Sequence, residues 1–380
     1  MARLGDVCDI LNGFAFKSEQ YVDDGIRIIR IANVQKGYIE DSTPVFYPFD
    51  SREAKKYSLE EGDMLMSLTG NVGRVAKLSK EFLPAALNQR VACLRIKDGV
   101  TLDKAFLFNL LNSDYFEQQC IAASKGVAQK NMSTEWLKEY EIPMFPMEQQ
   151  KVIASVLDKV TELISLRKEQ LAKLDQLVKS RFIELFGDLE RTTTIARYIS
   201  ELRGGKSLAG TEPCKNKVLK TGAATFGWFD PEQYKYLPAD YEPLPEHKVE
   251  TGDVIISRMN TPELVGACSY VFDAPDDMYY PDRLWKAVLK ENTNPIFLWQ
   301  LLWDRDIRKA IKESSGGTSG TMHNISKTNL LAIKCMDAPI ELQNEYAEFV
   351  KPTDKSKLAI QQSLDKLQLL KKSLMQKYFG

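Results

Sequence analysis

The stretch LVKSRFIELFG, Leu177 to Gly187, ends a run of helix-like sequence in the middle of the chain. The chain itself ends on LLKKSLMQKYFG, residues 369–380, which repeats the same order of leucine, lysine–serine and phenylalanine–glycine. A shift of 193 residues places Phe186 on Phe379. Because a long helical segment and its ending recur together, the sequence indicates that a large unit is present twice.

The repeat extends over the whole 380 residues and keeps its order. Shifts between 190 and 193 residues align glycines, polar residues and leucines of the two halves. Representative pairs, in chain order, are Gly13 with Gly204, Gly62 with Gly252, Arg90 with Arg283, Asn131 with Asn324, and Gln150 with Gln343. Solenoid repeats are far shorter. The chain is therefore interpreted as one module duplicated, with internal pseudo-two-fold symmetry.

The first part of each module has a mixed pattern. Short β-branched runs such as Ile26 to Val34 and Gly252 to Met259 predict strands. A helix is predicted from Leu102 to Cys120, with its copy from Pro295 to Lys312. This part of each module is predicted to be a compact α/β domain.

The second part of each module predicts a long helix. From Glu148 to Phe186 there is no glycine or proline, and apolar residues recur in alternating steps of three and four. Such a seam is typical of a coiled coil, and Gly187 ends it as a C-terminal cap. The second copy contains Lys351-Pro352, where a break or kink is expected.

The predicted fold class is thus α/β, with two similar α/β domains separated by two long antiparallel helices that form a coiled coil. The expected boundaries are 1–145 for the first domain, 146–189 for the first helix, 190–338 for the second domain and 339–380 for the second helix. The alternative is that each helix packs on its own globular domain. The narrow seam with charged flanks favours helix-on-helix packing.

Composition limits the class of protein. Hydrophobic residues make up 44% and charged residues 27%, so a core of normal size is expected, and the net charge is −1. Any binding to nucleic acid must then rely on local surfaces rather than on overall charge. Six scattered cysteines and two histidines argue against a zinc site. Without a leader or an apolar span, a soluble cytoplasmic protein with no membrane contact is expected.

Enzyme motifs are approached but not completed. Gly204 to Ser207 resembles the end of a phosphate-binding loop, but Ser200 stands where that loop needs its first glycine. Asn294-Pro295-Ile296-Phe297 resembles a methyltransferase motif that lacks its second proline. No catalytic residue, metal site or cofactor is predicted on this chain.

The loops carry the side chains of interest. Arg, Asn and Gln can make bidentate contacts with base edges, while Ser, Thr and Lys serve phosphates. The competing interpretation is that these are turn residues on solvated loops. In the first module the candidate contacts are Lys17, Thr69, Asn71, Arg74, Asn88, Gln89, Arg90, Lys125, Gln129, Lys130 and Asn131. In the second they are Arg203, Lys206, Arg258, Asn260, Asp282, Arg283, Ser315, Thr318, Ser319, His323 and Asn324.

Three segments, together with the order domain, helix, domain, helix, resemble specificity subunits of Type I restriction-modification systems. They are GDMLMSLTGNVGR from Gly62 to Arg74, IPMFPMEQQKVI from Ile142 to Ile153, and the segment from Lys173 to Asp188 that begins KLDQL and ends FGD. The resemblance covers essentially the whole chain.

The resemblance implies that each domain is a target recognition domain that reads one half of a bipartite, asymmetric site in double-stranded DNA. The helices would set the spacer and offer a surface to two modification subunits, which bring S-adenosylmethionine and methylate adenine. Restriction subunits that use ATP, with Mg²⁺, would join the full complex. The specificity subunit itself would perform no chemistry and hold no cofactor.

Two other classes remain open at this point. A specificity subunit of a related Type II-like restriction-methylation complex would have the same sequence features. A scaffold that binds no DNA, with a coiled coil presenting two ligand-binding domains, would account for the repeat but not for the loop chemistry.

Overall fold

The computed structural model describes residues 1–124, 131–319 and 322–380, and the chain divides into two compact units. Unit 1 comprises Met1–Glu169 and Gln361–Gly380, and unit 2 comprises Gln170–Ile360. Each unit therefore contains one α/β domain and one half of each long helix.

The elements of the first half of the chain are, in order, β1 (Ala2–Arg3), α1 (Leu4–Val7), β2 (Cys8–Asn12), β3 (Ile26–Ile29), β4 (Phe46–Tyr47), α2 (Arg52–Lys56), β5 (Met64–Ser67), β6 (Val75–Lys77), β7 (Ala85–Leu87), β8 (Val91–Ile96), α3 (Lys104–Leu111), α4 (Asp114–Ala123), α5 (Thr134–Glu139), β9 (Glu141–Ile142) and α6 (Met147–Phe186). An antiparallel sheet has the order β2-β8-β5-β6, and a second sheet has the order β4-β3-β7, with β3 and β7 parallel. The short strands β1 and β9 pair with each other.

The elements of the second half are β10 (Thr193–Thr194), β11 (Ile199–Gly204), β12 (Lys217–Leu219), β13 (Tyr234–Tyr236), β14 (Val254–Ser257), β15 (Met259–Asn260), β16 (Cys268–Tyr270), β17 (Met278–Tyr279), β18 (Leu284–Leu289), α7 (Pro295–Leu302), α8 (Arg305–Ser314), β19 (Gly316–Ser319), β20 (Met322–Asn324), α9 (Lys327–Leu331), β21 (Lys334–Cys335) and α10 (Ile340–Phe379). The sheets run β11-β18-β14-β16 and β13-β12-β17, again with one parallel pair, β12 with β17. Two smaller sheets are β15-β20-β19 and β10-β21. The topology of unit 1 is repeated, which agrees with the duplication read from the sequence.

Strand periodicity explains how the layers stack. In β5, Met64 and Met66 belong to the core that contains α3, whereas Leu65 belongs to the core under the smaller sheet. In β14, Val254 and Ile256 face the helical core and Ile255 faces the other one. Alternate side chains point to opposite faces of a strand. Each four-stranded sheet is therefore covered by helices on one side and by the three-stranded sheet on the other.

The single helix predicted from Leu102 to Cys120 is wrong, because the structure has two helices, α3 and α4. The hydroxyl of Ser113 accepts a hydrogen bond from the backbone nitrogen of Phe116 at 3.1 Å and caps a new helix start. The copy divides in the same way between α7 and α8, where Asp304 is the cap. Serine and aspartate favour this position because they satisfy free N–H groups of the first turn.

Of the break or kink expected at Pro352, the break does not occur, since α10 continues through this residue. Proline removes the hydrogen bond to the carbonyl of Glu348, but both residues are exposed and water can solvate that carbonyl. The hydroxyl of Thr353 donates to the carbonyl of Phe349 at 2.9 Å, and that of Ser356 donates to Pro352 at 2.9 Å. Both side chains thus bond to carbonyls one turn earlier in α10.

Within unit 2, the end of α6 packs on the start of α10. The ring of Tyr346 lies 5.4 Å from that of Phe182 and 5.7 Å from that of Phe186. Arg181 forms an ion pair with Glu345 at 2.5 Å. Within unit 1, the start of α6 and the end of α10 share one core, which includes Leu157 and Phe379. The two helices are therefore antiparallel, and each half also packs on its domain, so both packing modes considered for the helices occur.

A buried glutamine fixes each helix to a domain. The side-chain oxygen of Gln150 accepts from the backbone nitrogen of Asp103 at 2.8 Å, and its nitrogen donates to the carbonyl of Phe145 at 2.7 Å. Gln343 does the same with Asn294 at 2.9 Å and Ala338 at 2.8 Å. Both glutamines have no exposed surface. The repeat thus preserves the junction between domain and helix.

Across the described residues, every helix falls short of the length and apolarity that a membrane crossing needs.

Candidate nucleic-acid interfaces

Three loops of unit 1 meet at one end of the central strands of the larger sheet, after β5 and before β8. The backbone nitrogen of Leu68, just after β5, donates to the carbonyl of Arg90 at 3.0 Å. The nitrogen of Met132 donates to the carbonyl of Leu68 at 2.9 Å, and Thr69 forms an antiparallel bridge with Asn131. Segments far apart in sequence, all of which contain predicted contact residues, are thereby joined into one surface.

Unit 2 builds its surface with the same bonds. The backbone nitrogen of Arg258 donates to the carbonyl of Arg283 at 3.0 Å, and the nitrogen of Ile325 donates to the carbonyl of Arg258 at 3.1 Å. Met259 pairs with Asn324 where Thr69 pairs with Asn131 in unit 1. The backbone framework of the surface is therefore conserved between the units, while most of its side chains differ.

In unit 1, exposed polar side chains lie on this framework at Asn71, Gln89, Arg90 and Asn131. These amides and the guanidinium have the donor and acceptor geometry that base edges require. The surface therefore presents the kind of groups predicted from the sequence.

Other predicted residues of unit 1 have structural contacts. Thr69 is buried, Arg74 donates to the side chain of Gln35, and the side chain of Asn88 accepts from the backbone nitrogen of Arg90 at 3.4 Å. Lys17 has an exposed side chain, and its backbone nitrogen donates to the hydroxyl of Tyr47 at 3.0 Å. Lys125, Gln129 and Lys130 lie outside the described residues.

In unit 2, the side chains of the corresponding surface contact one another. The Nε of Arg258 donates to Oδ1 of Asn324 at 3.3 Å, and its guanidinium lies 5.9 Å from the ring of Trp285. The amide of Asn260 donates to the hydroxyl of Thr225 at 3.4 Å. Arg283 is exposed beside them. This hydrogen bond restrains the side chains of Arg258 and Asn324, and such preorganisation favours specific contacts.

His323 lies next to this group and pairs with Asn260 across β15 and β20. The hydroxyl of Ser315 donates to the carbonyl of Lys312 at 2.8 Å and lies 3.0 Å from Nδ1 of His323. When Nδ1 carries the ring proton, it donates to this hydroxyl, whose own proton goes to the carbonyl of Lys312. Thr318 and Ser319 belong to β19, whose backbone pairs with β20.

Three further predicted contact residues of unit 2, Arg203, Asp282 and Lys206, lie outside the hydrogen bonds around Arg258. The guanidinium of Arg203 donates to Glu201 at 2.7 Å, and this hydrogen bond lowers the pKa of Glu201. The carboxylate of Asp282 accepts from the hydroxyl of Ser207, and Lys206 is exposed one residue earlier. Arg203 is thus already paired on its own strand.

The structure adds residues that the loop chemistry did not select. Gln35 holds Arg74, and Thr225 holds Asn260, so each unit supports a predicted contact residue from the segment after its β3 or β12 strand. The repeat contained the signal, because a shift of 190 residues places Gln35 on Thr225. Both residues lie outside the loops that are rich in Arg, Asn and Gln.

Known proteins resemble the chain in sequence and in fold. A family model described as Type I restriction modification DNA specificity domain matches residues 1–176. The Type I restriction enzyme EcoKI specificity subunit of Escherichia coli K12 is 22% identical over all of this chain and 88% of its own length. The EcoAI specificity subunit of Escherichia coli is 33% identical over 42% of this chain and 28% of its own length.

Among solved structures, the S subunit of a Type I restriction-modification system from M. genitalium aligns with a TM-score of 0.64 and 16% identity. The alignment covers all of this chain and 95% of that one. It supports the fold, while the sequence matches support the family.

Proposed function

The chain belongs to the specificity subunits of Type I restriction-modification systems, and we propose that it reads a bipartite, asymmetric site in double-stranded DNA, one half with each unit. The observation that carries this proposal is the pair of three-loop surfaces built on the same backbone hydrogen bonds. In unit 1 they hold Gln89 and Arg90, and in unit 2 Arg258, Asn260 and Arg283. Two surfaces with one framework and different side chains suit two different half-sites.

The long helices are proposed to set the gap between the half-sites. Each has 40 residues and would extend roughly 60 Å at ~1.5 Å per residue. Half-sites one DNA turn apart require readers separated by ~34 Å. A helix of this length, fixed to a domain by buried Gln150 or Gln343, has the length and the attachment that a fixed spacer needs.

We also propose that the helices bind two modification subunits. On α6 of unit 1, Val152, Val156, Leu163 and Leu166 are all exposed. Their spacing of four, seven and three residues places them on one helical face. A stripe of exposed aliphatic side chains is typical of a surface that a protein partner covers.

In this proposal the partners perform the chemistry. The modification subunits would bind S-adenosylmethionine and methylate adenine, and the restriction subunits would use ATP and Mg²⁺. The chain would supply recognition alone, in the cytoplasm where the DNA lies. With a net charge of −1, it would depend on its partners for much of the phosphate neutralisation.

The test is to map methylated adenines in DNA from cells that express the chain with its modification subunits. The proposal predicts one asymmetric motif with two defined halves and a gap of constant length. A matched strain without the chain should lack that motif. Absence of any new motif, although the subunits assemble, would instead favour the scaffold that binds no DNA.

A further inference from the structure

An aromatic pair stands exposed on unit 2, in the turn that follows β12. Phe226 and Trp228 are 62% and 61% exposed, and their rings stack with centroids 5.7 Å apart and planes at 29°. Aromatic rings contribute a large apolar area to any contact that covers them. Two stacked rings in water thus mark a place where a partner with flat or apolar groups can bind.

The turn is held in place on both sides of the pair. Thr225 is buried, and its hydroxyl donates to the carbonyl of Thr221 at 2.9 Å and accepts from the amide of Asn260 at 3.4 Å. Gly227 has a φ of +86°, and a Cβ there would lie 3.5 Å from the ring of Trp303. The aromatic pair is thereby fixed next to Asn260, a residue of the proposed reading surface.

Unit 1 repeats this turn at the same shift of 190 residues. Gly37 corresponds to Gly227, with a φ of +91°, and Tyr38, which is 56% exposed, corresponds to Trp228. Gln35 accepts from Arg74, as Thr225 accepts from Asn260, and the backbone nitrogen of Gly37 donates to Val75 at 2.8 Å. In both units, therefore, an exposed aromatic follows a left-handed glycine beside the proposed reading surface.

We propose that these turns are DNA contacts, in which Trp228 with Phe226, and Tyr38, pack their rings on nucleotides next to the bases that each unit reads. The proposal rests on the function proposed above. The contact would be apolar, made with a base face at a loosened step, a thymine methyl or a deoxyribose. It would strengthen binding and add a preference at the edge of each half-site.

DNA fits better than a protein partner because the turn is bonded to Asn260, a residue of the proposed reading surface. Polar groups near the turn are the amide of Asn260, which donates to Thr225, the ring of His323 across the strand pair, and the exposed Lys220 ahead of the turn. The exposed aliphatic residues of unit 1 described above lie instead on α6.

The experiment uses the complete complex of the chain with its modification subunits and DNA carrying the mapped site. We expect the double variant F226A/W228A to bind about 5- to 150-fold more weakly, as for loss of an aromatic–base contact. Tyr38→Ala should weaken binding as well, and Trp228→Phe should keep most of the affinity. Phe49→Ala removes a ring that is 54% exposed elsewhere on unit 1 and serves as the matched control, with unchanged binding.

A second measurement separates the half-sites. When the half-site read by unit 2 is scrambled, F226A/W228A should no longer weaken binding. When the half-site read by unit 1 is scrambled, Tyr38→Ala should no longer weaken binding. Unchanged affinity of both variants, while the wild-type complex binds specifically, would overturn this inference alone. Loss of assembly with modification subunits, at unchanged DNA affinity of the assembled fraction, would overturn it in favour of a protein contact. A wild-type complex without sequence preference would overturn the proposed function itself.

Discussion

Replacing Gln150 by leucine should destabilise unit 1 strongly. The substitution keeps the side-chain volume but removes the acceptor for the backbone nitrogen of Asp103 and the donor for the carbonyl of Phe145, which lie at 2.8 and 2.7 Å. A buried polar group left without a partner costs about 1–3 kcal/mol. Two such groups, offset by roughly 1 kcal/mol for the more apolar side chain, give a loss of about 1–5 kcal/mol.

The assay is urea unfolding followed by intrinsic fluorescence, together with hydrogen exchange of core amides in α3 and β8 of unit 1. Gln149→Leu is the matched control, because Gln149 is the neighbouring glutamine and is exposed. Exposed substitutions usually change stability by less than about 0.5 kcal/mol. Equal free energies of unfolding for the two variants would show that Gln150 does not fix α6 to the domain.

Other predictions concern reading and pH. Arg90→Ala and Arg283→Ala should each weaken binding to one half-site by ~1–3 kcal/mol if the side chain reads a base; competition binding with base-substituted DNA checks this, and an equal loss on every sequence would indicate a phosphate or structural role. Lys286 donates to Glu250 at 2.6 Å and lowers the pKa of Glu250 below its ordinary 4.5. The charged form therefore stabilises unit 2 above pH 4.5, and that contribution is lost as pH falls through the lowered value. The free energy of unfolding should fall less steeply with decreasing pH in Lys286→Met. An unchanged pH dependence would contradict the pairing of Lys286 with Glu250.

The sequence predicted the duplication because its markers are residues with local structural roles. Gln150 and Gln343 recur since each completes the same buried junction, and Gly187 recurs as Gly380 since each follows the end of a long helix. Sequence periodicity did not reveal the division between α3 and α4, because the cap at Ser113 adds no break in the apolar pattern.

The candidate surface was only partly accessible from sequence. Residue type selected Arg90 and Asn131, which the fold does bring to one surface, but it also selected Arg203, whose charge is satisfied by Glu201. It omitted Phe226 and Trp228, because exposure of an aromatic ring cannot be known before folding. Long-range backbone bonds decide which loops meet, and these leave no pattern in a single sequence.

In the proposed function, the long helices keep the two DNA-reading units at a set distance. The direct measurement is the methylated motif made by a variant with four residues inserted in α6 near Arg167 and four in α10 near Ile360. The insertion lengthens each helix by ~6 Å, or about two base pairs at ~3.4 Å per pair. If the helices set the spacer, both half-sites stay the same while the gap between them grows. An assembled, active complex that keeps the wild-type gap would contradict it.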